Sequence, residues 1–292
     1  MSDLTARIAA APISWGVCEV PGWGHQMDPE RVLTEMSGLG VTATEFGPVG
    51  FLPVDPAARA ELLRRHGLAA VGGFLSVLLH DADHDPMPAV ETYLDGCLAA
   101  GAGVLVLAAS TGADGYDARP ELDEAGLATL LANLDRIDAR AHERGVVAAL
   151  HPHVGTMVER GAEVDRALAG SRIGLCVDTG HLLVGGVDPV ALTRAHTDRV
   201  VHVHLKDVDQ EVADRVLAGE TTFGDAINRG LFQPLGQGDV DIAGMVGALE
   251  AAGYDGWYVL EQDIKLPAEP VGEGPVRDVR TSLEYLLAGA AS

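Results

Sequence analysis

The amino-acid sequence predicts an α/β protein built as one barrel of eight parallel strands that alternate with helices. Short apolar runs alternate with amphipathic segments along the whole chain. Turns rich in small residues, such as AGAGVL and ERGVVA, lead from a helix into the next strand. The length of 292 residues suits one such barrel. We therefore expect a single domain over residues 1–292, with an insertion after the seventh strand.

The first half of the chain contains four β/α units. Strands are expected at residues 8–11, 43–46, 69–75 and 104–108. Helices are expected at residues 28–39, 56–66, 88–100 and 121–144. The first three of these helices begin at or beside a proline, which favours the first turn because the N–H that proline lacks has no helical partner there.

The second half completes the barrel. Strands five to eight are expected at residues 146–150, 174–177, 200–203 and 256–260. A helix near 162–168 follows strand five, and one amphipathic helix is expected between strands six and seven. The connection at 209–241 is longer than a simple loop and holds a short helix near 211–217 and the run RGLFQPLGQGDV. Such insertions are commonly lids or oligomer contacts, and the sequence leaves both open.

The charge of the chain limits its classes of partner. There are 20 Lys and Arg against 43 Asp and Glu, a net charge of −23. This charge repels nucleic acids and anionic membranes, so we expect a small-molecule substrate instead. The 3 cysteines form no CxxC motif, and no segment predicts a signal peptide or a membrane span. We expect a cytoplasmic protein, and the insertion is compatible with a homo-oligomer.

Two predicted strands end on residues that can bind a metal. Asp178 follows strand six and His204 ends strand seven, with His181 three residues after Asp178. Parallel strands joined through a helix open toward the same face, so these side chains should meet at the carboxyl rim of the barrel. Carboxylate and imidazole suit a divalent ion such as Mn, Co, Zn or Mg. The competing interpretation of Asp178 is a helix N-cap.

Strand seven carries His202, His204 and Lys206 at alternate positions, hence on one face. A buried strand has no ordinary structural use for three adjacent basic groups, so this face indicates an active site. Glu261 directly follows the apolar run WYVL, where burial of an unpaired carboxylate would be costly, which favours metal ligation. Other residues at the predicted rim are Trp15, Glu45, Phe74, Ser110, His151, His153 and Glu159.

These motifs resemble a known family. APISWGV, ATEFGP, HPHVGTMVE, VDTGH, VHVHLKDV and VLEQD are similar, in order and position, to motifs of the xylose-isomerase-like TIM barrels of the sugar isomerase and epimerase superfamily. Within it the chain most closely resembles the inosose (2-keto-myo-inositol) dehydratases of inositol catabolism. The resemblance covers nearly the whole chain. It implies one divalent ion, Mn or Co ahead of Zn or Mg, held by a Glu, Asp, His, Glu set from strands five to eight.

Three of these implied ligands match the family directly, namely Asp178, His204 and Glu261. The first ligand departs from the pattern, because this chain has His151 where many members have a glutamate at the end of strand five. Relatives with an HxH motif at that point supply their glutamate a little downstream. The resemblance therefore implies Glu159 as the fourth ligand, with His151 as the competing ligand and otherwise a substrate-binding residue.

The resemblance implies a dehydratase that removes water from a cyclic polyol ketone. A metal that chelates an α-hydroxyketone stabilises the enediolate that forms when the α-proton leaves. We expect His153 and His181 to transfer protons or orient the substrate, and Lys206 to stabilise the oxyanion. Glu45 and Trp15 would bind hydroxyl groups and a ring face. A supporting role for His181, hydrogen-bonded to a metal ligand, stays an alternative.

Other functions compete with this one. A ketose isomerase or 3-epimerase would use the same enediolate without expelling water. A DNA-repair endonuclease on the same barrel is disfavoured by the net charge of −23. A sugar-binding protein without catalysis is disfavoured by the metal-type ligands gathered at one rim. The sequence contains no GxGxxG, GxxxxGK[ST], GxSxG or HExxH motif.

Overall fold

The barrel is closed by strands from both ends of the chain. The computed structural model describes residues 4–113 and 115–290. Its parallel barrel strands are β1 Ile8–Ala10, β2 Ala43–Glu45, β3 Ala69–Leu78, β4 Val104–Ser110, β5 Val147–Leu150, β6 Gly174–Asp178, β7 Val200–Leu205 and β8 Tyr258–Leu260. Tyr258 of β8 pairs with Val203 on one side and with Ile8 on the other, which closes the ring. The predicted fold class is confirmed.

Helices follow the strands and pack around the barrel. They are α1 Pro29–Gly38, α2 Pro56–Arg65, α3 Met87–Ala100, α4 Glu124–Glu143, α5 Gly161–Gly170, α6 Thr179–Val184, α7 Pro189–Ala195, α8 Gln210–Leu217, α9 Phe223–Asn228, α10 Ile242–Ala252 and α11 Val276–Ala290. Asp28 and Asp55 cap α1 and α2, where the carboxylate accepts a backbone N–H and the next residue is proline. In the described part of the chain, no helix is long and apolar enough to cross a membrane.

Two elements differ from the prediction. β3 continues to Leu78 because it stays paired with β4 as far as Ser110, so Phe74 lies inside the strand rather than at its end. The single helix expected between strands six and seven is two helices, α6 and α7. Gly186, with φ of 78°, turns the chain after α6, and Asp188 then caps α7.

The insertion after β7 packs beside the carboxyl rim of its own barrel. A short antiparallel ladder between Asp207–Val208, before α8, and Phe232–Gln233, after α9, brackets these two helices. Phe223 and Phe232 belong to an apolar cluster that also contains Trp23 from the loop after β1. The insertion therefore packs against the loop after β1 and against the ring of His181.

The close approach of β3 to β4 depends on Gly72. A Cβ at this position would lie 1.9 Å from the carbonyl oxygen of Val104, and its φ is +145°. We expect Gly72→Ala to lower the free energy of unfolding by about 2–4 kcal/mol, measured by urea denaturation. Gly247→Ala is the control: this exposed position in α10 has no atom near a new Cβ, so a gain of about 0.5–1 kcal/mol is expected. Equal effects of the two substitutions would contradict the steric argument.

Candidate active site

A cavity of about 360 Å³ opens at the carboxyl ends of the barrel strands. Its wall combines imidazoles, carboxylates, one ammonium group and aromatic rings. The residues concerned include His151, His153, His181, Glu45, Glu261, Asp263, Lys206, Trp23, Phe74 and Tyr116. Polar groups that converge in a concave, partly aromatic pocket are typical of a small-molecule site.

Strand periodicity carries the polar side chains into this mouth. Small apolar residues fill the barrel interior below it, and side chains two positions apart share a strand face. In four strands an interior residue is followed two positions later by a site residue. The pairs, interior residue first, are Ala43 and Glu45, Ala149 and His151, Cys176 and Asp178, and Val259 and Glu261. The site is thus the polar top layer of the barrel interior.

The two oxygens of Asp178 have different partners. Oδ1 accepts the backbone N–H groups of Gly180 and His181, both at 2.8 Å, and so caps α6. Oδ2 lies 2.7 Å from Lys206 Nζ and 3.3 Å from His151 Nε2. Burial favours the neutral acid, but Lys206 and His181 hold the pKa of Asp178 well below its usual value. The N-cap interpretation and a position in the site therefore both apply.

Asp178, His204 and Glu261 form a set of metal-type donors whose nearest ligand atoms all lie within 4.8 Å of one another. His204 Nδ1 is 2.9 Å from Glu261 Oε2 and 3.5 Å from Asp178 Oδ2. This buried nitrogen makes no hydrogen bond in the described chain. A nitrogen without a partner that faces two carboxylates is the donor arrangement that a divalent cation satisfies, so these residues fit the implied metal.

The fourth expected ligand, Glu159, lies elsewhere. Its Oε2 accepts the N–H of Gly155 at 2.7 Å, and its Oε1 is 3.3 Å from the guanidinium of Arg119. It lines a separate cavity of about 1130 Å³ between the insertion and α5. The reason is that β5 ends at Leu150, so His151 continues inward while the following loop carries Glu159 away. The structure brings His151, and not Glu159, to Asp178.

Lys206 is surrounded by carboxylates. Its ammonium contacts Asp178, Glu261 and Asp263, the last at 3.3 Å from Oδ1, and the residue is 2% exposed. Burial lowers the pKa of Lys206, but Asp178, Asp263 and Glu261 outweigh it and hold the pKa well above its usual value. The side chain is therefore a fixed positive charge in the mouth.

Asp263 belongs to this carboxylate cluster, although it is not among the site residues predicted from the sequence. The signal was the motif VLEQD, because period two from Glu261 brings Asp263 to the same face. Burial raises the pKa of Asp263 to about 7, and the neighbouring Glu261 and Asp178 add to the effect while Lys206 opposes it.

His153 and His181 stack on each other, with ring centroids 3.6 Å apart. Burial lowers the pKa of His153 to about 3 and the pKa of His181 well below its usual value, so both rings are neutral near pH 7. His153 Nδ1 donates to the carbonyl of Val154 at 2.6 Å, which leaves Nε2 as an acceptor. His181 Nε2 is 3.8 Å from Asp263 Oδ2. The pair offers unprotonated nitrogens beside the cavity.

Trp15, expected to bind a substrate ring, lies in the core instead. It is fully buried, and its indole N–H donates to Glu35 of α1 at 2.8 Å. The 3-10 helix Pro12–Trp15 turns this side chain toward α1 and away from the cavity. Trp23 of the same loop lines the cavity in its place, with its indole N–H bound to the carbonyl of Ile264 at 2.8 Å.

Comparison with known proteins identifies the family. A family model described as "Xylose isomerase-like TIM barrel" matches residues 33–288. The chain belongs to the xylose isomerase-like TIM barrels. The resemblance drawn from the sequence motifs is thereby confirmed.

This xylose isomerase-like barrel is similar to several named proteins. It is 35% identical over 272 residues to the rhizopine catabolism protein MocC of Rhizobium meliloti. The aligned region covers 90% of this chain and 83% of that protein. It is 31% identical over 293 residues to an inosose dehydratase of Geobacillus kaustophilus (strain HTA426), with coverage of 96% and 93%. A solved D-allulose 3-epimerase from Methylomonas sp. matches with a TM-score of 0.67 at 16% identity over 97% of each chain, which shows the shared fold.

Lys206 balances the charge of the barrel mouth, so its removal should destabilise the protein. Lys206→Met leaves three largely buried carboxylates without their ammonium partner. We expect a loss of about 3–5 kcal/mol in the free energy of unfolding, measured by urea denaturation of the metal-free protein. Lys265→Met, which removes only an ammonium 4.5 Å from the ring of Trp23, should lose less than about 1 kcal/mol. A loss for Lys206→Met as small as that of the control would contradict the charge-balance interpretation.

Proposed function

We propose that this chain is a divalent-metal-dependent hydro-lyase that removes water from a cyclic polyol ketone, inosose (2-keto-myo-inositol), in inositol catabolism. The observation that carries the proposal is the convergence of His204 Nδ1 with the carboxylates of Asp178 and Glu261 beside a cavity. The name of the Geobacillus kaustophilus relative, 31% identical over 96% of this chain, supports the reaction and the substrate.

The metal would be held by Asp178, Glu261 and His204 Nδ1, with His151 as the fourth donor because its Nε2 is 3.3 Å from Asp178 Oδ2. Mixed nitrogen and oxygen donors suit Mn or Co, with Zn or Mg as alternatives. A divalent ion bound there would act as a Lewis acid on the ketone oxygen and make the adjacent C–H bond more acidic.

Proton transfer falls to the stacked pair His153 and His181. Elimination of water needs a base that accepts the α-proton and an acid that protonates the departing hydroxyl group. His153 is neutral and has a free Nε2, so it can accept a proton beside the cavity. Lys206 keeps a positive charge there and stabilises negative charge that develops on a substrate oxygen.

The charge of the cavity wall favours a neutral substrate. Among the described residues that line it there is no arginine, and Lys206 already contacts three carboxylates. A phosphate or carboxylate group on the substrate would meet these acidic side chains without a free cation. Trp23, Phe74 and Tyr116 supply apolar faces for the carbon ring of a polyol.

Turnover of inosose tests the reaction directly. We expect the Mn- or Co-loaded protein to convert inosose into a product with the ultraviolet absorbance of an enone or diketone, and EDTA treatment to abolish the activity. Water loss creates this chromophore, whereas isomerisation or epimerisation does not. Interconversion of ketohexoses without a new chromophore would instead identify a ketose isomerase or 3-epimerase.

Metal analysis of two glutamate variants tests the ligand set. Glu261→Gln should lose the metal and turnover together, because a carboxylate donor is removed. Glu159→Gln is the matched control and should retain stoichiometric metal, since its carboxylate is bound to Gly155 and Arg119. Metal content is measured by plasma mass spectrometry after dialysis. Loss of metal from Glu159→Gln, with retention in Glu261→Gln, would restore Glu159 as the ligand.

A further inference from the structure

We propose that Glu45 is a positioning residue that holds His204 in the tautomer with its proton on Nε2, so that Nδ1 presents a lone pair to Asp178 and Glu261. This inference rests on the proposed metal site. It concerns a residue that lies on β2, across the barrel interior from the strand that carries His204.

The contacts of Glu45 define its role. Oε1 accepts from His204 Nε2 at 3.0 Å and from His202 Nε2 at 2.8 Å. All three residues are at most 3% exposed, so these contacts are shielded from bulk solvent. A carboxylate has no proton to give, and each imidazole must therefore donate from Nε2. A neutral imidazole that is protonated on Nε2 carries its lone pair on Nδ1.

With the ring neutral, as metal ligation requires, that lone pair faces the metal-type donors. His204 Nδ1 is the atom that lies 2.9 Å from Glu261 Oε2 and 3.5 Å from Asp178 Oδ2 without a hydrogen bond. In the opposite tautomer Nδ1 would donate a proton to Glu261 and could not ligate. A carboxylate on the far side of a ligating histidine fixes both its tautomer and its ring orientation.

The backbone of β2 is shaped to place Glu45. Its pairing with β3 shifts register between Thr44, opposite Ala70, and Glu45, opposite Gly72. Such a bulge redirects the side chain that follows it. Glu45 thereby reaches β7, and its second partner His202 fixes the carboxylate from another direction.

Glu45, His202 and His204 could alternatively bind a second ion, since their ligand atoms also lie within 4.8 Å of one another. The geometry favours hydrogen bonding. His202 Nε2 and His204 Nε2 both point at Glu45 Oε1 in hydrogen-bond geometry, at 2.8 and 3.0 Å, whereas His204 Nδ1 lies 2.9 Å from Glu261 Oε2 but makes no aligned hydrogen bond to it.

The test compares Mn²⁺ binding by the full-length metal-free chain and its variants in titration calorimetry. The native chain should bind one ion, and Glu45→Gln should bind it about 10- to 100-fold more weakly. Glu35→Gln is the matched control, because Glu35 also accepts a ring N–H, from Trp15, but lies on α1 away from the cavity. Its affinity should equal that of the native chain.

A second measurement needs no variant at position 45. In ¹⁵N NMR of the native Zn²⁺-loaded chain, with the ring assigned through His204→Asn, His204 should carry its proton on Nε2. A proton on Nδ1, or an affinity of Glu45→Gln within twofold of native, would overturn the inference and leave the proposed function intact. Two bound ions per chain would overturn it in favour of a second metal site. A native chain that binds no ion would overturn both proposals.

Discussion

Charge balance inside the barrel mouth constrains the rest of the site. Asp178, Glu261 and Asp263 surround the ammonium of Lys206, and all four groups are withdrawn from solvent. An isolated buried charge is strongly unfavourable, whereas charges that pair and hydrogen-bond can be kept. The backbone N–H groups of α6 add to this balance through Oδ1 of Asp178. Asp178 and Glu261, whose pKa values are lowered by Lys206 and neighbouring histidines, can therefore remain ionised where a polyol substrate and a cation would meet.

The architecture explains why these groups assemble. Polar side chains stand at or just beyond the carboxyl ends of β2, β5, β6, β7 and β8, and closure of the barrel brings these separate strand ends together. The interior below is a buried apolar layer that contains small residues such as Ala9, Ala43 and Ala149. Glu45, Asp178 and His204 lie in strands, and His151, Lys206 and Glu261 each directly follow one, which limits the freedom of these groups.

The insertion after β7 supplies aromatic rings that pack against His181. Phe223 and Phe232 lie 5.7 and 6.2 Å from the ring of His181, measured between centroids. Tyr116, from the loop after β4, packs against both Phe223 and His153 and donates its hydroxyl proton to Glu19 at 2.8 Å. These contacts from the insertion and from the loop after β4 help to bury the stacked histidines, and burial is what lowers their pKa values.

The sequence alone determined the barrel and most of its polar rim. Alternation of strands and helices is a local property, and period two within VHVHLKDV places His202, His204 and Lys206 on one face without reference to any other element. The same rule, applied to VLEQD, would have found Asp263. Element boundaries do not follow from the local pattern, since the length of β3, for example, is set by its pairing with β4.

Only the tertiary structure decided which atoms meet. Trp15 and Trp23 stand in the same loop, and only the packing of that loop shows that Trp23 reaches the cavity. Whether His151 or Glu159 approaches Asp178 depends on the path of the loop after β5, which spacing in the sequence does not fix. The contact of Glu45 with His204 joins residues 159 positions apart. Pairings of this kind arise from barrel closure, so no local pattern encodes them.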